Sequence, residues 1–374
     1  VLTSIEAVSV RNLRGIAQCT VDKLTDINIF IGKNGAGKST LLEAIYLASS
    51  WAEPIDRIRG TPKIDYIIKR RGGRGDWKTF KDALWFNKKT DEEIEITLTF
   101  KSKSKTNQLT FKLPYEYNPL DNPSALLELS SLNIPEISQY NAEKLYFTKS
   151  GVEWNPQTRA IRITDLGGKV LPKVLSIAAE EIRYLENVVL LDSRLTVSQL
   201  EQKVWAKIFD MRLDKKILEL IREEYEPAAE NVLYKPTGGG FALALALPET
   251  TVEIDYLGDG ARMAVIYASP LILANRTAVL IEDPEAHQHP GGLAAFTRFA
   301  FKAAKEANLQ LFITTHSIEL INIAKNVAKE LGLGLKTYYM ERDRDGYVDV
   351  RAIEEPELEI LQKIGLDPRM LHIL

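Results

Sequence analysis

A single cysteine, Cys19, stands in a chain of 374 residues. That scarcity excludes an intrachain disulfide and a cysteine-based metal site, and it points to a reducing interior. Long apolar runs are missing too. None approaches the ~20 residues that a membrane-spanning helix needs. The N-terminus lacks the pattern of a signal peptide, so the expected location is the cytoplasm. An excess of one sign of charge is missing: 48 basic and 51 acidic residues leave a net charge of −3. No global field therefore draws the protein to nucleic acid or to an acidic surface, and any such binding has to come from a local patch. Sustained heptads are absent, which argues against a coiled coil.

What remains is ordinary for a globular protein. Hydrophobic residues make up 45% and charged residues 26%, as in typical soluble domains. The length exceeds the usual single domain, so two lobes are expected.

The most informative stretch is Gly32-Lys33-Asn34-Gly35-Ala36-Gly37-Lys38-Ser39. It fits Gly-x-x-x-x-Gly-Lys-[Ser/Thr], the phosphate-binding P-loop. Asp26 to Ile31 before it reads as a strand, and Thr40 to Leu47 after it has helical spacing. A glycine-rich turn between strand and helix aims backbone N–H groups and a helix N-terminus at one point, which binds phosphate. Lys38 is expected to reach the β- and γ-phosphates, and the Ser39 hydroxyl to ligate Mg²⁺. Thr40 closes the expected nucleotide-binding segment.

The patterning divides the chain in three. Ile5 to Val10 alternates like a strand ahead of the P-loop. A middle region carries mixed signals: alternating strands at 92–100 and 108–113 read as a hairpin, and Pro114 to about Glu136 reads as irregular. Val188 to Leu191 reads as a buried strand. Leu200, Val204, Ile208, Met211, Leu218 and Ile221 recur at helical spacing. The last region returns to strands at 277–281 and 309–314, each followed by a helix, at 291–307 and 317–331. Such alternation implies a parallel sheet, and the P-loop strand has to join it. The middle region is then an insertion into one nucleotide-binding fold.

An ATPase needs a second acidic element on a neighbouring strand. Val279-Leu280-Ile281-Glu282-Asp283-Pro284-Glu285 supplies carboxylates at the end of a buried strand, where phosphate and Mg²⁺ would sit. One strand on, Thr314-Thr315-His316-Ser317 ends in a histidine. Tyr256-Leu257-Gly258-Asp259-Gly260-Ala261-Arg262 lies ahead of both. Each feature is weak alone; their order and spacing together are strong.

On these motifs the chain resembles an ABC-type ATPase of the branch containing SMC proteins, RecF and the overcoming-lysogenization-defect (OLD) proteins. It is most similar to the OLD-like ATPase domain without a Toprim nuclease. Specific matching covers roughly residues 1–50 and 250–325. The resemblance implies an α/β P-loop NTPase fold of ABC type, with a mixed sheet and an inserted α+β lobe. Its expected divisions are an ATPase core at 1–55 and 251–374 and an inserted lobe at 56–250.

The resemblance also implies roles. Glu282 stands at the Mg²⁺-side carboxylate and Asp283 at the carboxylate that orients the attacking water. His316 would contact the γ-phosphate. Gly258, Asp259 and Gly260 occupy the ABC signature and would contact the γ-phosphate bound to a second subunit. Asn12 and Arg14 would lie near the base or the α-phosphate. The implied function is Mg²⁺-dependent ATP hydrolysis in a head-to-tail homodimer, acting on nucleic acid or a partner protein. The alternative is a nucleotide-gated clamp with negligible turnover.

The chain also departs from the pattern. The commoner acidic order is Asp-Glu, and a competing register makes Asp283 the metal-side group and Glu285 the base; Pro284 favours the first register. Gly258 replaces the usual signature serine. No Q-loop glutamine is identifiable, and no aromatic stands out for stacking on adenine, so ATP rather than GTP rests on the resemblance.

Arg57, Arg59, Lys63, Lys69, Arg70, Arg71 and Arg74 crowd one short stretch. Two readings stand: a flexible basic loop that grips DNA or RNA phosphates, or a solvated loop, as charge runs usually are. Trp77, Phe80 and Leu84 fit the buried face of a short helix better than a base-stacking surface. His287 and His289 fit packing at a dimer interface better than a metal site. Asp343 and Asp345 sit between two strand-like segments and read as a hairpin turn rather than a nuclease centre.

Overall fold

A computed structural model describes residues 3–50, 52–72, 77–102, 105–116, 127–128, 152–155, 160–163 and 180–353. Its strands are, in chain order, β1 (Ser4–Leu13), β2 (Ile16–Val21), β3 (Ile27–Ile31), β4 (Ile94–Ser102), β5 (Lys105–Leu113), β6 (Leu127–Glu128), β7 (Val152–Asn155), β8 (Ala160–Ile163), β9 (Val189–Leu191), β10 (Asn231–Thr237), β11 (Gly240–Ala246), β12 (Thr251–Glu253), β13 (Ala278–Glu282), β14 (Gln310–Thr314), β15 (Leu335–Arg342) and β16 (Tyr347–Ile353). Eleven of them form one sheet in the order β6-β5-β4-β1-β2-β16-β15-β3-β14-β13-β9. The P-loop strand β3 lies between β15 and β14 and is parallel to both. Next to β14 come β13 and β9, also parallel. The other half is mostly antiparallel, through β1/β2, β1/β4 and β4/β5. The fold is thus α/β with a mixed sheet.

The central strands read as continuous apolar runs because helices cover both faces. Phe30, Leu280, Phe312 and Tyr338 point to one face and pack with the helix Lys38–Ser49. Phe30 stacks on Tyr338 at 5.3 Å between centroids and lies 6.4 Å from Phe312. Ile27, Ile29, Ile31, Val279, Ile281, Leu311 and Ile313 point to the other face. There they meet the helices Asp259–Leu273, Pro290–Ala307 and Ile318–Leu331. Local chemistry fixes the ends of these helices. The Ser317 hydroxyl accepts from Leu320 N at 3.2 Å, an N-cap. Gly332, at φ 68°, closes the same helix.

Residues 56–250, expected as an inserted lobe, supply β4, β5, β6 and β9 to the main sheet. They also supply the small pair β7–β8 and the strands β10 and β11 of a three-stranded sheet completed by β12. The hairpin of β4 and β5 forms as expected. The expected irregular stretch after Pro114 falls mostly outside the described residues. The amphipathic pattern after Ser198 resolves into Val197–Leu200, a π-turn at Glu201–Trp205, Ala206–Asp210 and, after a break, Asp214–Glu224. Met211 falls in that break and is exposed, whereas Leu200, Val204, Ile208, Leu218 and Ile221 are buried. Trp77 and Leu84 are buried as expected of a core face, but Phe80 is exposed. β15 and β16 pair antiparallel around Asp343 and Asp345, which makes that segment a hairpin turn.

Candidate functional site

The P-loop turns out of β3 through residues whose φ values suit glycine. Gly32 has φ 141° and Gly37 has φ 101°. A Cβ on Gly32 would collide with the Met340 carbonyl oxygen on β15, so the strand next door also demands glycine here. Gly37 directly precedes the helix Lys38–Ser49. Lys33, Asn34 and Gly35 are exposed at the turn, Ala36 is buried, and Ser39 and Thr40 lie in the first helical turn. Free N–H groups of a helix N-terminus thus end at this loop.

Lys38 is only 5% exposed. Its Nζ donates to Gly32 O at 2.9 Å and Lys33 O at 3.0 Å. Burial lowers its pKa from the ordinary lysine value, and the carboxylates of Asp283 and Glu285 work in the opposite direction. The acidic strand end and the P-loop lysine therefore share one electrostatic neighbourhood, although 245 residues separate Lys38 from Asp283 (283 − 38).

β13 ends at Glu282, opposite Thr314 of β14. Asp283 follows at φ 43°, a left-handed conformation that asparagine and aspartate tolerate better than most residues. Its N–H donates to Thr314 O at 3.1 Å, and the Thr314 hydroxyl donates to Asp283 Oδ1 at 3.2 Å. Glu285 clamps the next loop. Its Oε1 accepts from the Thr315 hydroxyl at 2.7 Å and from His316 N at 2.6 Å. Glu285 Oε2 is buried with no hydrogen-bond partner. His316 is exposed beyond the end of β14. The geometry brings together Lys38, Asp283, Glu285 and the His316 loop.

The segment expected as the signature lies elsewhere. Gly258 is the N-cap of the helix Asp259–Leu273. Gly258, Asp259 and Gly260 line a cavity of about 400 Å³ with Glu224, Tyr225, His287 and His289, and no P-loop residue reaches it. Gln288 ties this wall together. Its Nε2 donates to Gly260 O at 2.9 Å, and its Oε1 accepts from the Tyr225 hydroxyl at 2.7 Å. A Cβ on Gly260 would sit 3.1 Å from the His287 carbonyl oxygen. A side chain at 260 would thus press on that carbonyl, which would have to give by a few tenths of an ångström.

Several expected contacts take a different form. The Asn12 side-chain amide donates to Glu92 O at 2.9 Å and Lys89 O at 3.2 Å. Arg14 Nε pairs with Glu43 Oε2 at 2.7 Å, and its guanidinium also donates to Ile67 O. Both side chains, expected near the base or α-phosphate, are spent on protein partners.

The basic stretch needs a larger correction. Arg59, Lys63 and Arg70 form neither a solvated loop nor a surface for phosphates: their side chains are buried. Arg59 pairs with Asp56 at 2.9 Å and Asp192 at 3.1 Å. Lys63 Nζ donates to Ser49 Oγ at 2.9 Å, and burial lowers its pKa to about 8. The helix Lys63–Gly72 carries Lys63 and Arg70, and Arg59 lies in the turn before it. Arg57, Lys69 and Arg71 are exposed, each paired with a glutamate or aspartate. Arg74 lies outside the described residues.

Sequence reasoning missed the partners that draw this stretch inward. Glu43 sits inside the apolar run Leu41-Leu42-Glu43-Ala44-Ile45, and Asp192 directly follows the buried β9. A carboxylate within or against an apolar run was the available signal, since such a group needs a buried cation.

The sequence profile of a family described as AAA ATPase domain matches residues 4–151 and 61–321. An ATP/GTP phosphatase from Helicobacter pylori is 22% identical over 378 residues, covering 95% of this chain and 97% of that protein. The DNA double-strand break repair Rad50 ATPase from Pyrococcus abyssi is 41% identical over 71 residues, 19% of this chain and 8% of that protein. The structure of an SmcHead bound to the C-winged helix domain of ScpA covers 94% of this chain and 99% of that one, at 12% identity and a TM-score of 0.49. No helix among the described residues is long and apolar enough to cross a membrane. The matched profile spans most of the sheet that holds the P-loop and the acidic strand end. The chain belongs to the AAA ATPase domain family and is an ATPase.

Proposed function

We propose that this ATPase is of the OLD-like type, hydrolyses ATP with Mg²⁺, and does so in a head-to-tail homodimer that sandwiches two nucleotides. The observation that carries the dimer is the signature cavity. Gly258, Asp259 and Gly260 line it without any residue of their own P-loop. A segment that grips a γ-phosphate from there serves the nucleotide of a second copy.

Within each site, the backbone from Gly32 to Thr40 cradles phosphate and Lys38 meets the transferring group. Asp283 orients the attacking water, and its reciprocal bonds to Thr314 hold it in place. The His316 loop, tied by Glu285, faces the γ-phosphate. Among the described residues no three His, Cys, Asp or Glu side chains form a metal site by themselves. That fits Mg²⁺, which is commonly held by one or two carboxylates plus substrate phosphates. Ser39 and Glu282 would hold it, and it would neutralise charge developing on the phosphates. The buried, unpartnered Glu285 Oε2 favours a second register, with Asp283 on the metal side and Glu285 as base.

Nucleic acid is the proposed target, in repair, defence or genome maintenance. The Pyrococcus relative is named for DNA double-strand break repair, which supports this reading. Among the described residues of the basic stretch, Arg57, Lys69 and Arg71 are exposed and open to such a partner. The test is steady-state phosphate release with and without DNA or RNA. Stimulation that disappears when Arg57, Lys69 and Arg71 are all alanine supports the target, and turnover indifferent to both nucleic acids removes it.

A further inference from the structure

Arg70 occupies an unusual place for a residue in a basic run. Its side chain is 6% exposed, and each of its three nitrogens meets a different carboxylate. Nη1 pairs with Glu43 Oε1 at 2.7 Å and Nε with Asp192 Oδ2 at 3.1 Å. Nη2 pairs with Glu282 Oε2. Glu43 is on the P-loop helix, one turn beyond Ser39. Asp192 follows β9, and Glu282 ends β13. One planar group thus joins the P-loop helix to two strand ends.

The three carboxylates do not depend on it equally. Glu43 also pairs with Arg14 at 2.7 Å and Arg71 at 2.8 Å. Asp192 also pairs with Arg59 at 3.1 Å and accepts from the Tyr66 hydroxyl at 2.6 Å. Among the described residues, Arg70 is the cation placed on Glu282. It meets the carboxylate at Oε2. A guanidinium donates in fixed in-plane directions, so it sets the orientation of what it binds; an ammonium supplies only a point charge.

We propose that Arg70 is a positioning residue for the Mg²⁺-nucleotide site: it orients the Glu282 carboxylate from behind. This rests on Glu282 as the metal-side carboxylate. Partners of this kind fix the ligand's rotamer, and losing one commonly costs ~10–100-fold in metal affinity. Arg70→Lys keeps the buried charge and removes the fork, which separates positioning from charge balance.

The experiment measures binding of a fluorescent ATP analogue to the full chain, titrated with Mg²⁺ and repeated in EDTA. Wild type, Arg70→Lys, Glu282→Gln and the double variant are compared, each with its melting temperature. The expected result is an Mg²⁺ half-saturation raised about tenfold in Arg70→Lys. Affinity in EDTA stays at the wild-type value, and the double variant is no worse than Glu282→Gln. If Glu282→Gln shifts the half-saturation and Arg70→Lys does not, the role of Arg70 is overturned while that of Glu282 stands. If Glu282→Gln has no effect, the metal-side reading falls and takes this inference with it. Equal losses in EDTA and Mg²⁺ for Arg70→Lys would make Arg70 a general structural residue and overturn the proposal.

Discussion

Asp283 and Thr314 hold each other across two neighbouring strands: the Asp283 N–H donates to Thr314 O at 3.1 Å, and the Thr314 hydroxyl donates back to Asp283 Oδ1 at 3.2 Å. The pairing keeps a left-handed aspartate, φ 43°, at the end of β13. Asp283→Asn preserves size and tolerates that φ, but it cannot accept a proton. Nucleotide binding is expected to stay within a few-fold of wild type, and phosphate release to fall by roughly 10²–10⁴. If Glu285→Gln gives that phenotype and Asp283→Asn does not, the competing register holds.

Lys38→Ala removes the one P-loop side chain that carries positive charge to the transferring phosphate. Its burial at 5% exposure means that water cannot substitute freely. Hydrolysis should drop at least about 100-fold in a phosphate-release assay. Wild-type turnover in this variant would remove the P-loop from the mechanism.

The contiguous parts of this site were legible in the sequence because their physics is local. The P-loop, its strand and its helix lie within residues 27–49, and the glycines state the turn themselves. β13 and β14 were legible because helices on both faces make their runs uniformly apolar. Ser317 and Gly332 mark the ends of their helix in plain chemistry. Arg59, Lys63 and Arg70 were misleading for the opposite reason. Arg59 and Arg70 reach Asp192, Glu43 and Glu282, and Lys63 reaches Ser49; a charge run whose partners lie elsewhere in the sequence looks like a solvated loop. The helix Asp259–Leu273 was also missed: it contains Pro270, and most of its residues are buried, so it shows little amphipathic pattern.

Burial now predicts different fates for neighbouring arginines. Arg59→Ala leaves buried Asp56 without its ion-pair partner, while Asp192 keeps Arg70, and should cost roughly 3–5 kcal/mol. Arg57→Ala breaks an exposed pair with Glu53 and should cost under about 1 kcal/mol. Urea denaturation of the two variants checks the contrast, and equal losses would contradict the buried network.

Lys63 gives the fold a pH signature. Burial lowers its pKa from 10.5 to about 8, so the folded chain releases this proton before the unfolded chain does. Between about pH 8 and 10.5 the unfolded state binds more protons, and stability rises with pH through that window. Below it, the buried charge is a standing cost. Compared with Lys63→Met, the wild type should therefore gain stability as pH rises from 8 to 10. Urea midpoints of the two proteins that run parallel over this range would refute a buried, destabilised Lys63.

The nucleotide sandwich is tested most directly by the molar mass of Asp283→Asn in solution, measured by light scattering with Mg²⁺-ATP and with Mg²⁺-ADP. ATP presents the γ-phosphate that Gly258, Asp259 and Gly260 of a second copy would grip; ADP does not. The predicted result is the 42.1 kDa monomer with ADP and twice that mass with ATP. A monomer in both nucleotides would contradict the head-to-tail site and leave an ATPase that works alone.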